Sequence, residues 1–260
     1  MAEPYQGIEG QRVVVTAGAS GIGRAIADML IGHGARVHVC DVEDGLLEDF
    51  AAAQPRAGAT RADVSSEVDV DRLFDEAAAK LGGLDALINN AGISGPTGKI
   101  EELDPADWRR CIDVDLTGSF LCARKAVPML KSSGGGSIVN LSSVAGKYGY
   151  PFRTPYASAK YGIIGLTETL AKELGPSEIR VNAILPGLVK GPRIEAVIRA
   201  RAEETGQTYE QTEAKYLEKV SLRRMVSAED IASMILFLLS DAGRNVSGQS
   251  IAVDANVETL

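Results

Sequence analysis

The chain predicts an α/β fold, a doubly wound parallel sheet of about seven strands with helices on both faces. Strand-like segments near Val13, Val37, Leu87, Ile138, Val181 and Ile251 alternate with helix-like segments, and a further short strand is expected near Ala62. The runs VVV, ALI, SIVNL and VNAIL lack strict apolar-polar alternation, as strands covered on both faces do. A glycine cluster between the first strand and the first helix is the third sign.

Val13 to Val15 run into Gly18, Gly21 and Gly23 and then into the Ala-rich amphipathic stretch RAIADML. Glycines let a backbone turn tightly and approach a diphosphate, and the free amides of the following helix N-terminus stabilise its charge. The second strand, ARVHVCD, ends in Asp41, where a ribose-binding carboxylate belongs. Strand, phosphate loop, helix, strand and acid together give a Rossmann-type arrangement. Asp41 would accept a hydrogen bond from a ribose 2′-hydroxyl and repel a 2′-phosphate. Neither Ser20 nor Val42 supplies a compensating cation, so NAD is expected over NADP. Arg24 and Arg36 read as helix surface and strand edge, and His33 and His38 as structural or exposed.

Tyr156 and Lys160 in YASAK stand four residues apart on one helical face, with Ser143 upstream. A phenol, with a pKa near 10, is a poor base at neutral pH, but an ammonium one helical turn away favours the phenolate. Ser143 would orient a substrate oxygen. By itself such a pair is also what an ordinary surface Tyr and Lys would look like.

With the glycine loop, NNAG at Asn89 to Gly92, Ser143, YASAK, and LPG at Leu185 to Gly187 in this order, the whole chain resembles the short-chain dehydrogenase/reductase family. The resemblance implies reversible hydride transfer between a nicotinamide and a secondary alcohol or ketone. Tyr156 would be the acid/base, Ser143 its partner on the substrate oxygen, and Lys160 the group that grips the nicotinamide ribose. It implies a cofactor groove formed by Gly18, Ser20, Gly21, Ile22, Gly23, Asp41, Asp63, Val64, Asn90, Ala91, Gly92, Tyr156, Lys160, Pro186, Gly187 and Val189. Asn89 would support the sheet and line that groove. Asp63 would sit near the adenine edge, or cap the helix from Glu67.

Three departures from the family pattern stand out. Asp115, in VDLTG, replaces the usual Asn of the fourth catalytic position, where the backbone carbonyl helps hold a relay water. Its carboxylate could hold Lys160 charged or draw it from the ribose, so activity is expected to be reduced and not abolished. Ala17 replaces the first glycine of the loop, tolerable at negative φ. Gly191 replaces the threonine that meets the carboxamide, leaving backbone groups such as the Val189 amide.

With 260 residues, 45% of them hydrophobic, the chain can bury one large α/β core, and residues 1–260 are expected to form a single domain. Residues 188–225 carry two charged helical stretches around the TGQT turn near Gly206 and read as a substrate lid. Its Arg193, Arg199, Arg201, Arg223 and Arg224 would meet an anionic substrate or, interspersed with glutamates, form a solvated surface.

The net charge of -8 and the absence of a basic run argue against duplex nucleic acid and for a small metabolite. Cys40, Cys111 and Cys122 are odd in number and lack metal-ligand spacing, and MAEPYQGIEG has no leader character, so the cytoplasm is expected and no metal. IASMILFLL, preceded by Glu229 and Asp230, is too short to span a membrane and reads as a buried helix. The expected activity is an NAD-dependent alcohol dehydrogenase on a polyol, sugar or sugar acid. A 3-oxoacyl-carrier reductase and a dinucleotide-binding sensor or scaffold are the alternatives. A homotetramer is implied by the resemblance, built on the helices around Trp108 to Met129 and Tyr156 to Leu174 and on the C-terminal strand.

Overall fold

Seven parallel strands form one sheet in the computed structural model, which describes residues 5–259; Leu260 and the first four residues of the N-terminal run lie outside it. The strands are β1 (Arg12–Thr16), β2 (Arg36–Asp41), β3 (Gly58–Arg61), β4 (Ala86–Asn89), β5 (Gly136–Leu141), β6 (Ile179–Pro186) and β7 (Ser250–Val253). Their spatial order is β3-β2-β1-β4-β5-β6-β7. The order reverses between β1 and β4, and in open parallel sheets a crevice for ligands opens outside the carboxyl ends of the strands at such a point. The short strand expected near Ala62 is β3, ending one residue before it.

Side chains of β1 alternate across the sheet, so one valine run serves two cores. Val13 and Val15 pack with α1 (Gly21–Gly32), α2 (Asp44–Ala53) and α9 (Ala228–Leu239), through Ile26, Leu30, Phe50 and Ile235. Val14 faces α3 (Glu67–Leu81) and α5 (Gly118–Ser132), through Leu73, Phe74, Ala126 and Leu130. Each of these side chains is almost wholly buried, so truncating one of the larger ones to Ala would cost about 2–5 kcal/mol. The IASMILFLL stretch lies in α9 against α1, and among the described residues no helix is long and apolar enough to cross a membrane.

Helix boundaries follow from polar groups that satisfy free amides. Ser66 caps α3 by accepting from the Asp69 amide, and Gly82 in the left-handed conformation ends it. Asp63 is therefore not the cap. A reciprocal Ser227 and Asp230 pair starts α9, and a Thr208 and Gln211 pair starts α8 (Tyr209–Glu218). Helix α7 (Pro192–Thr205) ends at Gly206 with φ 64° and packs against α8, so the two charged stretches are helices divided where the turn was expected. The side chain of Glu204 lies outside the described residues.

Two features anchor the site-bearing ends. Helix α6 (Thr154–Leu174), with Pro155 in its first turn, runs beside β6 and against α4 (Pro105–Ile112). Between α4 and α5, Asp113–Thr117 forms a π turn, in which the Gly118 amide donates to the Asp113 carbonyl. Such widened turns recur where a side chain or carbonyl is diverted to a site. At the opposite end, Arg12 makes a bidentate pair with Asp85 at 2.6 and 2.8 Å, tying β1 to the turn before β4. Burial alone would raise the Asp85 carboxyl, but the Arg12 hydrogen bonds and charge hold it below the ordinary carboxylate range.

Candidate active site

The loop between β1 and α1 opens a cradle for an anion. Ser20, at the N-cap of α1, makes no side-chain capping bond, so the amides of Gly21, Ile22 and Gly23 are left to a ligand. A Cβ on Gly18 would lie 2.6 Å from Val39, and one on Gly23 would lie 2.1 Å from the Ala17 carbonyl oxygen, so both glycines are required by close approach. Ala17 departs from its expectation. Its φ is +48°, a left-handed conformation that costs an L residue about 1–2 kcal/mol, because the turn into the loop imposes it whatever residue stands there.

Asp41 ends β2 on the same side. It is 7% exposed; one carboxylate oxygen accepts from the Val42 amide at 2.8 Å, and Oδ2 is buried with no hydrogen-bond partner among the described residues. An orphaned carboxylate oxygen at this place fits a ribose hydroxyl, which would satisfy it. Arg24 does not compete: it is paired with Asp28 at 2.6 Å and stacked 5.1 Å over Phe50. Arg36 donates to the Lys80 carbonyl at the strand edge. Asp63 and buried Val64 follow β3, and the Asp63 carboxylate accepts from Ser65 and from Arg110 at 2.8 Å.

Asn90 ties the two halves of the crevice together. Its side chain donates to the Thr16 and Ala17 carbonyls, and its amide and that of Ala91 donate to the Thr16 hydroxyl. Asn89 instead is buried, donating to Asn140 at 2.9 Å and to the Ser119 carbonyl. The sheet-supporting half of its expected role fits these bonds, while the groove side of this pair belongs to Asn90. Asn140 passes the chain on to Thr167, joining β4, β5 and α6.

At the end of β5, Ser143 accepts from the Ala145 amide at 3.1 Å, which leaves its O–H as the part able to donate. Neighbouring Ser142 donates to the Lys160 carbonyl at 2.8 Å and so fastens α6 to β5. Tyr156 is half-buried, and Lys160 Nζ lies 5.6 Å from the centre of its ring. The ammonium donates to the Leu141 carbonyl at 3.1 Å and pairs with Asp115 Oδ2 at 3.2 Å. Asp115 is fully buried, and its other oxygen accepts from the Ile93 amide at 2.7 Å. The departure at this position is thus a buried carboxylate that holds both the loop after β4 and the lysine. Gly92 passes between them, where a Cβ would lie 3.2 Å from Lys160 Nζ and 3.3 Å from Asp115 Oδ2.

The segment after β6 closes the far side. Gly187 passes Asp254 so closely that a Cβ would lie 2.6 Å from its side chain, and Pro186 before it is buried. Val189 bridges to Val226 through the Leu188 carbonyl and the Lys190 amide, so its own amide points the other way, available to a ligand. Gly191 has φ +150°, a backbone that disfavours the threonine usual at this position. Arg193 donates to the Gly92 carbonyl at 3.0 Å across the mouth. Elsewhere Arg199 meets Glu195 and Tyr209, and Arg223 donates to the carbonyls that end α8.

Sequence reasoning passed over Arg153, which precedes α6 and is buried between the rings of Tyr150 and Tyr156, donating to the Ser94 carbonyl at 2.6 Å. A cation three residues before the tyrosine was the available signal. The three cysteines are free and buried: burial pushes the Cys40 thiol up to about 12, and burial, then Asp115, pushes Cys111 up to about 11. These thiols are inert at neutral pH. His33 is exposed and His38 is buried beneath β3.

A nucleotide cradle at the switch point and a serine, tyrosine and lysine gathered at the ends of β5 and α6 define a nucleotide-binding oxidoreductase acting on CH–OH groups. Residues 16–256 match the family described as enoyl-(acyl carrier protein) reductase. The chain belongs to the short-chain dehydrogenase/reductase family, as an enzyme that interconverts a secondary alcohol and a ketone on a small substrate. It is 39% identical over 245 residues to cis-4-hydroxycyclohexanecarboxylate dehydrogenase of Sinomonas cyclohexanicum, covering 93% of this chain and 94% of the relative. It is 36% identical over 256 residues to 2,5-dichloro-2,5-cyclohexadiene-1,4-diol dehydrogenase of Sphingobium indicum, covering 97% and 99%. Among solved structures it superposes on NAD+-bound xylitol dehydrogenase with a TM-score of 0.90 at 28% identity, covering 95% of this chain and 99% of the other.

Proposed function

We propose that this enzyme is an NAD-dependent dehydrogenase of small hydroxylated compounds, a polyol, sugar acid or ring alcohol. The observation that carries the cofactor choice is the buried, unpartnered Oδ2 of Asp41, which a ribose 2′-hydroxyl satisfies and a 2′-phosphate would face as like charge. The names of the relatives, a hydroxycyclohexanecarboxylate dehydrogenase and a ring-diol dehydrogenase, support the substrate class, and the NAD-bound neighbour supports the cofactor.

Bound NAD would supply the acceptor carbon for hydride. Asp41 would hold the adenosine ribose, the amides of Gly21 to Gly23 the diphosphate, and Lys160 the other ribose. Asp63 and Val64 would flank the adenine, Asn90 to Gly92 would line the middle of the groove, and the Val189 amide would bind the carboxamide near Pro186 and Gly187. Ser143 donates to the substrate oxygen and Tyr156 removes its proton during oxidation or returns it during reduction, which fixes the carbon in line for transfer. Asp115 sets the position of Lys160. Residues 188–225 act as the lid, with α7 and α8 as its body. The enzyme works in the cytoplasm, consistent with three free thiols, as a homotetramer whose contacts include the exposed Phe120 of α5 and Tyr161 of α6.

The test offers NAD or NADP with cyclic secondary alcohols, hydroxycyclohexanecarboxylates, polyols and sugar acids, following reduced nicotinamide by absorbance. NAD-dependent turnover is expected, and Asp41→Ser should lose about tenfold or more in NAD affinity while gaining NADP use. A wild-type preference for NADP would refute the reading of Asp41.

A further inference from the structure

We propose that Arg153 is a positioning residue for Tyr156, a second fixed cation that with Lys160 brackets the phenol and fastens the loop after β4 beside it. The inference rests on Tyr156 being the acid/base. The Arg153 guanidinium carbon lies 5.2 Å from the Tyr156 ring centre and 5.3 Å from that of Tyr150, while Lys160 Nζ lies 5.6 Å from the Tyr156 ring. Arg153 is only 9% exposed, and among the described residues no carboxylate forms an ion pair with it. Its Nη2 donates to the Ser94 carbonyl, and its buried Nε has no partner.

A cation withdrawn from water without a counter-charge is costly, and two aromatic faces offset only part of that cost. Negative charge on Tyr156, whose ring the guanidinium faces at 5.2 Å and which the reaction charges whenever the tyrosine gives up its proton, would offset more of that cost. The charged group thus acts through Tyr156 while its Nη2 holds Ser94, and with Gly98 donating to the Phe152 carbonyl at 2.9 Å the loop is fixed at two points.

The other charged and titratable groups on these elements leave this role open. From its own helix comes Lys160, already paired with Asp115 of the π turn. From α4 comes Cys111, whose thiol is pushed up to about 11 by burial and then Asp115, and so is neutral. Arg110 of α4 is engaged by Asp63, Lys147 stacks on Tyr148, and Arg193 of the lid is bound to Gly92. Ser143 and Tyr150 contribute hydroxyls.

The test compares Arg153→Gln, which keeps an amide donor for Ser94 but no charge, with Arg153→Lys, reading alcohol oxidation from neutral to alkaline pH. Arg153→Gln should lose about tenfold in kcat/KM at neutral pH, with KM for NAD little changed, and should converge on the wild type at high pH. Arg153→Lys should recover most of the loss. A deficit of equal size at every pH, or no rescue by Lys, would reduce Arg153 to a structural tether and overturn the proposal. If no alcohol is turned over by the wild type, the tyrosinate absorbance that disappears on Tyr156→Phe still decides: it should be weaker at a given alkaline pH in Arg153→Gln, and an unchanged signal overturns the proposal independently of the function.

Discussion

Restoring the amide at the position paired with Lys160 should separate stability from turnover. Asp115 is fully buried, accepts the Ile93 amide at 2.7 Å and stands 3.2 Å from Lys160 Nζ. Across 3.2 Å, with an effective dielectric of about 20, the attraction is roughly 5 kcal/mol before desolvation is counted. Asp115→Asn keeps an oxygen for Ile93 and Lys160 keeps the Leu141 carbonyl, while the desolvation of one buried carboxylate is relieved. A net loss of about 2 kcal/mol is expected, which for a chain of this size is a fall in Tm of roughly 4–8 °C. On the proposed binding of NAD, the same change would free the ammonium for the ribose hydroxyls, so kcat should rise several-fold and KM for NAD should fall. Thermal unfolding and initial-rate kinetics on both proteins provide the comparison. A variant that loses stability and turnover together would mean that the carboxylate serves the proton relay, and one that loses neither would mean that the ion pair has no weight.

Ala17→Gly should raise Tm by about 2–4 °C, since it removes a left-handed alanine at φ +48° against a smaller gain in unfolded-chain entropy. Gly23→Ala should do the reverse and weaken NAD binding, because its Cβ would meet the Ala17 carbonyl at 2.1 Å; a fluorescence titration with NADH reads the affinity. His38 carries a pH dependence. Burial lowers it from 6.5 to about 4, with its Nε2 bonded to Thr60, which in turn donates to Glu76, and its Nδ1 unpartnered. The unfolded chain takes up the proton first, so stability is full above pH 6.5 and is lost as pH falls toward about 4, by about 3 kcal/mol in all. In His38→Leu the difference in denaturant midpoint between neutral and mildly acid solution should shrink, and an unchanged difference would assign the acid sensitivity elsewhere.

The sheet was legible because its information is local and redundant. Three valines at 13–15, the apolar runs of β4 to β6 and the acid that ends β2 each report burial or position within a few residues. What stayed hidden depends on where the backbone points at the end of an element. Ala17 is read naturally as a tolerated methyl, yet the turn out of β1 sets its φ positive. Asp63 has the residue type of a cap, but the turn places Ser66 at the first free amides of α3. At adjacent positions 89 and 90, where β4 ends, one asparagine bonds across to β5 and the other to the carbonyls that lead into the glycine loop. The Asp115 substitution was visible as a departure, whereas its pairing with Lys160 required β4, the π turn and α6 to meet. Arg153 was hidden for a similar reason, since the Ser94 carbonyl that holds it comes from the loop after β4.

The strand order also shapes how the chain reaches its fold. Residues 12–61 can assemble β3-β2-β1 alone, but the second edge of β1 waits for Ala86, Leu87 and Ile88 to take register with Val13, Val14 and Val15. Until then the triple-valine strand is an open edge, able to pair with another nascent chain. The pairing of β1 with β4 that covers this edge also forms the switch-point crevice, so protecting the edge and shaping the candidate site are one contact.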